Sequence, residues 1–114
     1  MNNEERERLL QGRAYTLFFH EYGERLKHVG ELLSEELSES DRLELGRTFH
    51  TLKGGAGFFG FDEIARVASM IEQICASPLL STEFRESLLE GCQKLDNLSV
   101  NLPAPVASRK REEA

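Results

Sequence analysis

Cysteine, basic charge and long apolar runs are all scarce in this chain, and each shortage narrows what it can do. The two cysteines, Cys75 and Cys92, show no CxxC spacing and no neighbouring histidine. A zinc site takes clustered Cys and His ligands, so the expectation is two core thiols in a reducing compartment and no metal. Lysine and arginine number 14 against 20 aspartates and glutamates, a formal charge of −6. A surplus of acid is wrong for binding along the phosphates of DNA or RNA, so no nucleic-acid partner is expected. No apolar run approaches the ~18 residues of a membrane span. The start, Met1-Asn2-Asn3-Glu4-Glu5-Arg6-Glu7-Arg8, is too charged and too acidic for a signal or transit peptide. These points lead to a cytoplasmic protein with no membrane partner. Its 114 residues fit one domain whose core needs no staple.

What the chain does have is helical periodicity. A first helix is predicted from about Glu4 to Leu37, with Tyr15, Phe19, Tyr22, Leu26, Val29, Leu33 and Leu37 on one face. Gly23 and Gly30 beside that stripe predict either a kink or the close approach of a neighbouring helix. A second helix starts after Ser40 as N-cap, buries Leu45, Phe49, Leu52, Ala56 and Phe59, and stops at Gly60. Phe61 or Asp62 opens a third, with Ile64, Val67, Ala68, Ile71, Ile74 and Cys75 inward, ended by Ser77-Pro78. Ser81-Thr82 caps a fourth, with Phe84, Leu88, Cys92, Leu95 and Leu98 or Leu102 facing the core. Nothing reads as a strand. The fold class expected is all-α, an antiparallel up-down four-helix bundle over residues 1–102. Pro103-Ala104-Pro105 is expected to end the order, leaving 103–114 as a disordered tail or a linker. Charged outer faces fit a monomer.

The chemistry concentrates in Phe49-His50-Thr51-Leu52-Lys53-Gly54-Gly55-Ala56-Gly57-Phe58-Phe59-Gly60. Gly55-x-Gly57-x-x-Gly60 matches a dinucleotide-binding turn only superficially. That motif needs a preceding strand, and the residues before it are charged and helix-periodic. On a helical wheel with Leu45 at zero, the buried stripe lies within about 40° of the core direction, and His50 points outward near about 140°. Gly46, Lys53, Gly54 and Gly57 surround it on the outer face. Glycines at three helix-interior positions would together cost about 3 kcal/mol. Stability does not ask for them. Clearance does, because a partner's backbone or a phosphoryl group could then approach His50 unobstructed. His20 and His28 sit among Glu and Lys on the first helix and read as solvated surface residues.

The run His50-Thr51-Leu52-Lys53-Gly54-Gly55-Ala56-Gly57-x-Phe59-Gly60 resembles the signature of histidine-containing phosphotransfer domains. Within that family it is most similar to the N-terminal phosphotransfer domain of chemotaxis histidine kinases. The likeness extends through Phe18-Phe19-His20-Glu21-Tyr22 and from Phe61 to Glu72, about residues 13 to 100 in all. It implies a helical protein whose histidine accepts a phosphoryl group from a receiver aspartate or from a kinase ATP site. The hairpin around Gly60-Phe61 brings Glu72 level with His50 to about 2 Å along the helix axes. Spacing leaves open which side of the hairpin Glu72 occupies. The resemblance implies that it faces the histidine, accepting from Nδ1 and leaving Nε2 as the free lone pair. Ser69 departs from the chemotaxis pattern, where a second histidine often stands.

The expected chemistry is in-line phosphoryl transfer at His50, with Lys53 meeting the phosphoryl oxygens and Glu72 orienting the ring. Gly54 and Gly57 admit the partner, and Leu43 and Phe58 form part of a docking patch. No cofactor is expected, and any Mg²⁺ would be held by the partner. Expected partners are a response-regulator receiver, a histidine kinase, or both, in a bacterial two-component pathway. Two phosphotransfer settings stay open: a relay intermediate without an ATP site, or the N-terminal domain of a larger chemotaxis-type kinase. The competing class is a helical module that binds and inhibits a kinase or receiver without carrying phosphate.

Overall fold

A computed structural model describes residues 2–77 and 82–106 of the chain. Helix α1 spans Asn3–Leu10, α2 Arg13–Leu33, α3 Glu39–Phe58, α4 Asp62–Cys75 and α5 Thr82–Leu98, followed by a short 3₁₀ turn at Ser99–Asn101. Among the described residues there is no strand, and no helix is long and apolar enough to cross a membrane. The all-α bundle expected from periodicity is what the chain forms.

Helices α2 to α5 make the bundle, and pairs of contacts fix their directions. His28 of α2 bonds Glu44 near the start of α3 while Phe18, ten residues earlier, packs on Gly55 near its end, so α2 and α3 run antiparallel. Arg42 reaches the Cys75 carbonyl while Phe61 closes back on Ala56, which makes α3 and α4 antiparallel. Tyr22 donates to the Leu95 carbonyl and Arg85 to the carbonyls of Leu33 and Glu35, so α5 returns alongside α2 and closes the ring. The Arg85 cation also meets the carbonyls that end α2, where the helix dipole favours positive charge.

Several boundaries differ from the sequence reading, each for a local reason. The predicted first helix is two helices, broken at Gln11-Gly12, where Gly12 is the extended N-cap of α2. Neither Gly23 nor Gly30 breaks α2, and no neighbouring helix approaches either of them. Phe18 takes the core position expected of Phe19, which is half-buried; Leu26, Leu37, Ile74 and Cys92 are also half-buried rather than core, and of Leu98 and Leu102 it is Leu102 that is buried. Leu37 lies beyond the end of α2. The N-cap of α3 is Ser38, not Ser40: its hydroxyl accepts from the Asp41 N–H, and Asp41 accepts from the Ser38 N–H in return. That reciprocal box satisfies two donors that a cap at Ser40 would leave exposed. Pro103-Ala104-Pro105 does not end the order. Tyr15 donates to the Pro103 carbonyl at 2.5 Å and Pro105 is fully buried, so the packed unit runs past 102. The expected stop at Pro78, the cap at Ser81 and the tail over 107–114 lie outside the described residues.

The turn between α3 and α4 sets the register of everything that follows. Gly60 has φ +81°, a left-handed conformation that costs a side-chain-bearing residue roughly 1–2 kcal/mol. Its N–H bonds the Gly57 carbonyl and that of Phe61 bonds the Ala56 carbonyl at 2.8 Å, so the last carbonyls of α3 are satisfied as the chain reverses. Beneath the turn Tyr15, Phe18, Phe59 and Phe61 pack as an aromatic cluster, Phe18 stacked on Phe61. Arg6 of α1 clamps the outside, donating from Nε to the Phe59 carbonyl at 3.1 Å with its guanidinium 4.9 Å from the Phe61 ring centre.

Candidate functional site

Residues of α3 divide into two faces. Leu45, Phe49, Leu52 and Ala56 are buried, as the wheel requires, and Phe59 joins them at the C-cap. His50 lies on the opposite face, its side chain 72% exposed. Packed beside it, α4 carries Glu72 between the buried Ile71 and the exposed Gln73. The hairpin does bring Glu72 to the histidine side: His50 Nδ1 and Glu72 Oε2 are 2.8 Å apart. An ionised carboxylate only accepts, so Nδ1 carries the proton and donates. The lone pair is then on Nε2, which this hydrogen bond leaves unengaged.

Lys53, which the wheel placed beside His50, is also tied to α4. Its Nζ donates to Glu72 Oε1 at 2.9 Å, so one carboxylate receives His50 on one oxygen and Lys53 on the other. The Lys53 ammonium first, and the His50 ring second, hold the Glu72 carboxyl below the usual carboxylate range. Sequence reasoning missed this shared acceptor, although His50 and Lys53 at i and i+3 opposite a level glutamate are the pattern that produces it.

The glycines sort into different tasks. A Cβ at Gly54 or Gly57 would meet nothing within 4 Å, so both leave open space beside the histidine. Gly46 is turned toward α4, with a Cβ there 3.6 Å from Cys75, an ordinary contact. Gly55 is the packing glycine of the run, since a Cβ would lie 2.8 Å from the Phe18 ring. Leu43 and Phe58 are 49% and 60% exposed, and Phe58 packs edge-on against Phe59.

The other titratable groups are held elsewhere. His28 pairs with Glu44 at 2.9 Å, tying α2 to α3, and His20 is exposed beside Phe19. Cys75 reaches the floor of the groove beside His50, but burial pushes its thiol up to about 11, as it does that of Cys92. Neither thiol is a nucleophile at neutral pH. Among the described residues no three His, Cys, Asp or Glu side chains converge as a metal centre would require.

An exposed imidazole with one nitrogen fixed and the other left unengaged by that bond, on a two-helix hairpin with a glycine-lined approach, is suited to carrying a group delivered by a second molecule. The family model of the Hpt domain matches residues 13–101, most of the chain. The chain belongs to the Hpt domain family. Hpt domains are phosphotransfer intermediates of two-component signalling that interact with kinases and receiver domains, and that is the role of this one at the level the family fixes. No curated protein and no solved structure matches it. The match begins at the first residue of α2 and ends at the last residue of the 3₁₀ turn, so in this Hpt domain α1 lies outside the family unit.

Proposed function

We propose that His50 is the phosphoryl acceptor of this Hpt domain, taking the group from a receiver aspartate or a kinase ATP site and passing it to a response regulator. The observation that carries the reading is the exposed imidazole whose Nδ1–H is held by Glu72, a bond that leaves Nε2 unengaged. In the forward step the Nε2 lone pair attacks phosphorus in line while the P–O bond to the donor oxygen breaks. The donor carboxylate, or ADP, leaves with the electron pair. The phosphorylated ring keeps its Nδ1 proton and gains positive charge, which the adjacent Glu72 carboxylate stabilises. Glu72 therefore orients the ring before transfer and balances its charge afterwards. Lys53, one turn on, draws the oxygens of the transferring group, and Mg²⁺ belongs to the partner's site. Gly54 and Gly57 give the partner's loops room, and Leu43 and Phe58 are its apolar contacts. The Nδ1–carboxylate arrangement favours the chemotaxis-kinase type of Hpt domain, and the acting unit is a monomer.

The test is to incubate the protein with phosphorylated receivers and, separately, with kinase catalytic domains plus ATP and Mg²⁺. Acid-labile phosphate on the wild-type chain, absent from His50→Gln, is expected. A folded wild-type chain that binds either partner yet takes no label would instead mark a helical inhibitor. In Phe58→Ala, labelling by a receiver should need a higher receiver concentration; an unchanged dependence removes Phe58 from the docking surface.

A further inference from the structure

We infer that Arg47 is a second phosphoryl-binding residue, gripping the transferring group on the side of His50 away from Lys53; this rests on His50 being the acceptor. A groove of about 610 Å³ runs between α3 and α4 beside the histidine, with Leu43, Gly46, Arg47, His50, Glu72 and Cys75 among its lining residues. Lys53 does not line it. Helical side chains lean toward the N-terminus, so the His50 ring covers the turn that begins at Gly46 and Arg47. Residues three apart on a helix have Cβ atoms about 5–6 Å apart, well within the reach of an arginine.

Charge balance supplies the second argument. Around the ring, the Lys53 cation is shared with the Glu72 carboxylate, so a second cation adds to the positive charge that Lys53 offers an incoming phosphoryl group. Two cations line the groove. The Arg42 guanidinium is buried and held by Glu39 and the Cys75 carbonyl. Arg47 is exposed, and among the described residues its guanidinium has no hydrogen bond or ion pair. Gly46 beside it lines the groove without a side chain. A planar guanidinium can take two phosphoryl oxygens at once, which an ammonium cannot. Arg47 is thus the one groove-lining cation not occupied within the described residues, and it stands one turn from the reacting nitrogen.

The inference is tested with phosphoramidate, a small donor that removes any protein partner from the experiment. Nε2 attacks phosphorus, the P–N bond breaks and ammonia leaves with the electron pair, so no other reactant is needed. Wild type, Arg47→Ala, Arg47→Lys and His50→Gln are compared for initial rate of acid-labile labelling, with circular dichroism melts as the folding control. Arg47→Ala is expected to label about ten-fold more slowly at an unchanged melting temperature, and Arg47→Lys to recover most of that loss. Labelling of Arg47→Ala at the wild-type rate overturns the inference while leaving His50 as acceptor. Label that persists in His50→Gln overturns the acceptor reading itself. A slowed Arg47→Ala that Arg47→Lys does not restore at all also counts against a phosphoryl contact, because a lysine there still supplies the charge.

Discussion

Glu72 receives two donors on its two oxygens, and that arrangement makes a residue-scale prediction about pH. Its carboxyl is held below the ordinary carboxylate range, first by Lys53 and then by His50. A group whose folded pKa is depressed contributes stability above its unfolded value and loses it as pH falls through the folded one. The contribution of Glu72 is therefore complete above about 4.5, its ordinary value, and declines as the solution is acidified below that. Urea unfolding of wild type and Glu72→Gln across that window should show wild type losing stability more steeply with acid. Parallel curves would mean that the carboxylate is not held by its partners in solution. At neutral pH the same variant leaves the His50 tautomer unfixed, so labelling at His50 should slow while the bundle stays folded.

At the scale of an element, α3 has a core face and an approach face that ask opposite things of adjacent glycines. Gly54 looks into open space, so Gly54→Ala removes a helix-interior glycine without a clash and should stabilise the protein by about 0.5–1 kcal/mol. Gly55 lies against the Phe18 ring, itself locked among Tyr15, Phe59 and Phe61, so Gly55→Ala should destabilise by about 1–3 kcal/mol. Denaturant melts of the two variants distinguish them by sign. Gly54→Ala is also expected to slow phosphoryl exchange with a receiver while raising stability, because the added methyl occupies the approach. Equal exchange in that variant would show that Gly54 is not kept for clearance. The faces of α3 were legible from periodicity alone, since a 3.6-residue repeat places each side chain by its number. Which glycine touched a neighbour was not, because the wheel contains one helix and the contact needs two.

For the whole molecule, the boundary between the family unit and the rest falls at Gly12. Helix α1 has no buried residue, and it is held by half-buried Leu9 and Leu10 and by Arg6 on the α3–α4 turn. Deleting residues 1–12 removes the Leu9 and Leu10 packing together with one hydrogen bond and one cation–π contact, the two Arg6 contacts alone being about 2 kcal/mol. The melting temperature should fall by roughly 10 °C, with labelling of His50 kept within about two-fold because the site lies wholly on α3 and α4. An unchanged melting temperature would show that α1 does not clamp the turn. The C-terminal side behaves in the opposite way: Pro105 is buried and the Pro103 carbonyl accepts from Tyr15, whose hydroxyl burial pushes up to about 12. Composition pointed to a tail there because proline ends helices. It carries no information about whether the extended chain that follows lies against a core.

Sequence by itself determined that this chain is helical, which face of each bundle helix is buried, and which histidine stands clear with glycines and a lysine around it. Those properties depend on neighbours three and four residues away, and helical geometry converts such spacing into direction. Tertiary structure decided that Glu72 meets His50 rather than turning aside, that Lys53 shares the same carboxylate, and which glycine of α3 packs against Phe18. Each of those outcomes depends on two segments meeting across the bundle, where the turn at Gly60 and the packing of α4 on α3 set the distance.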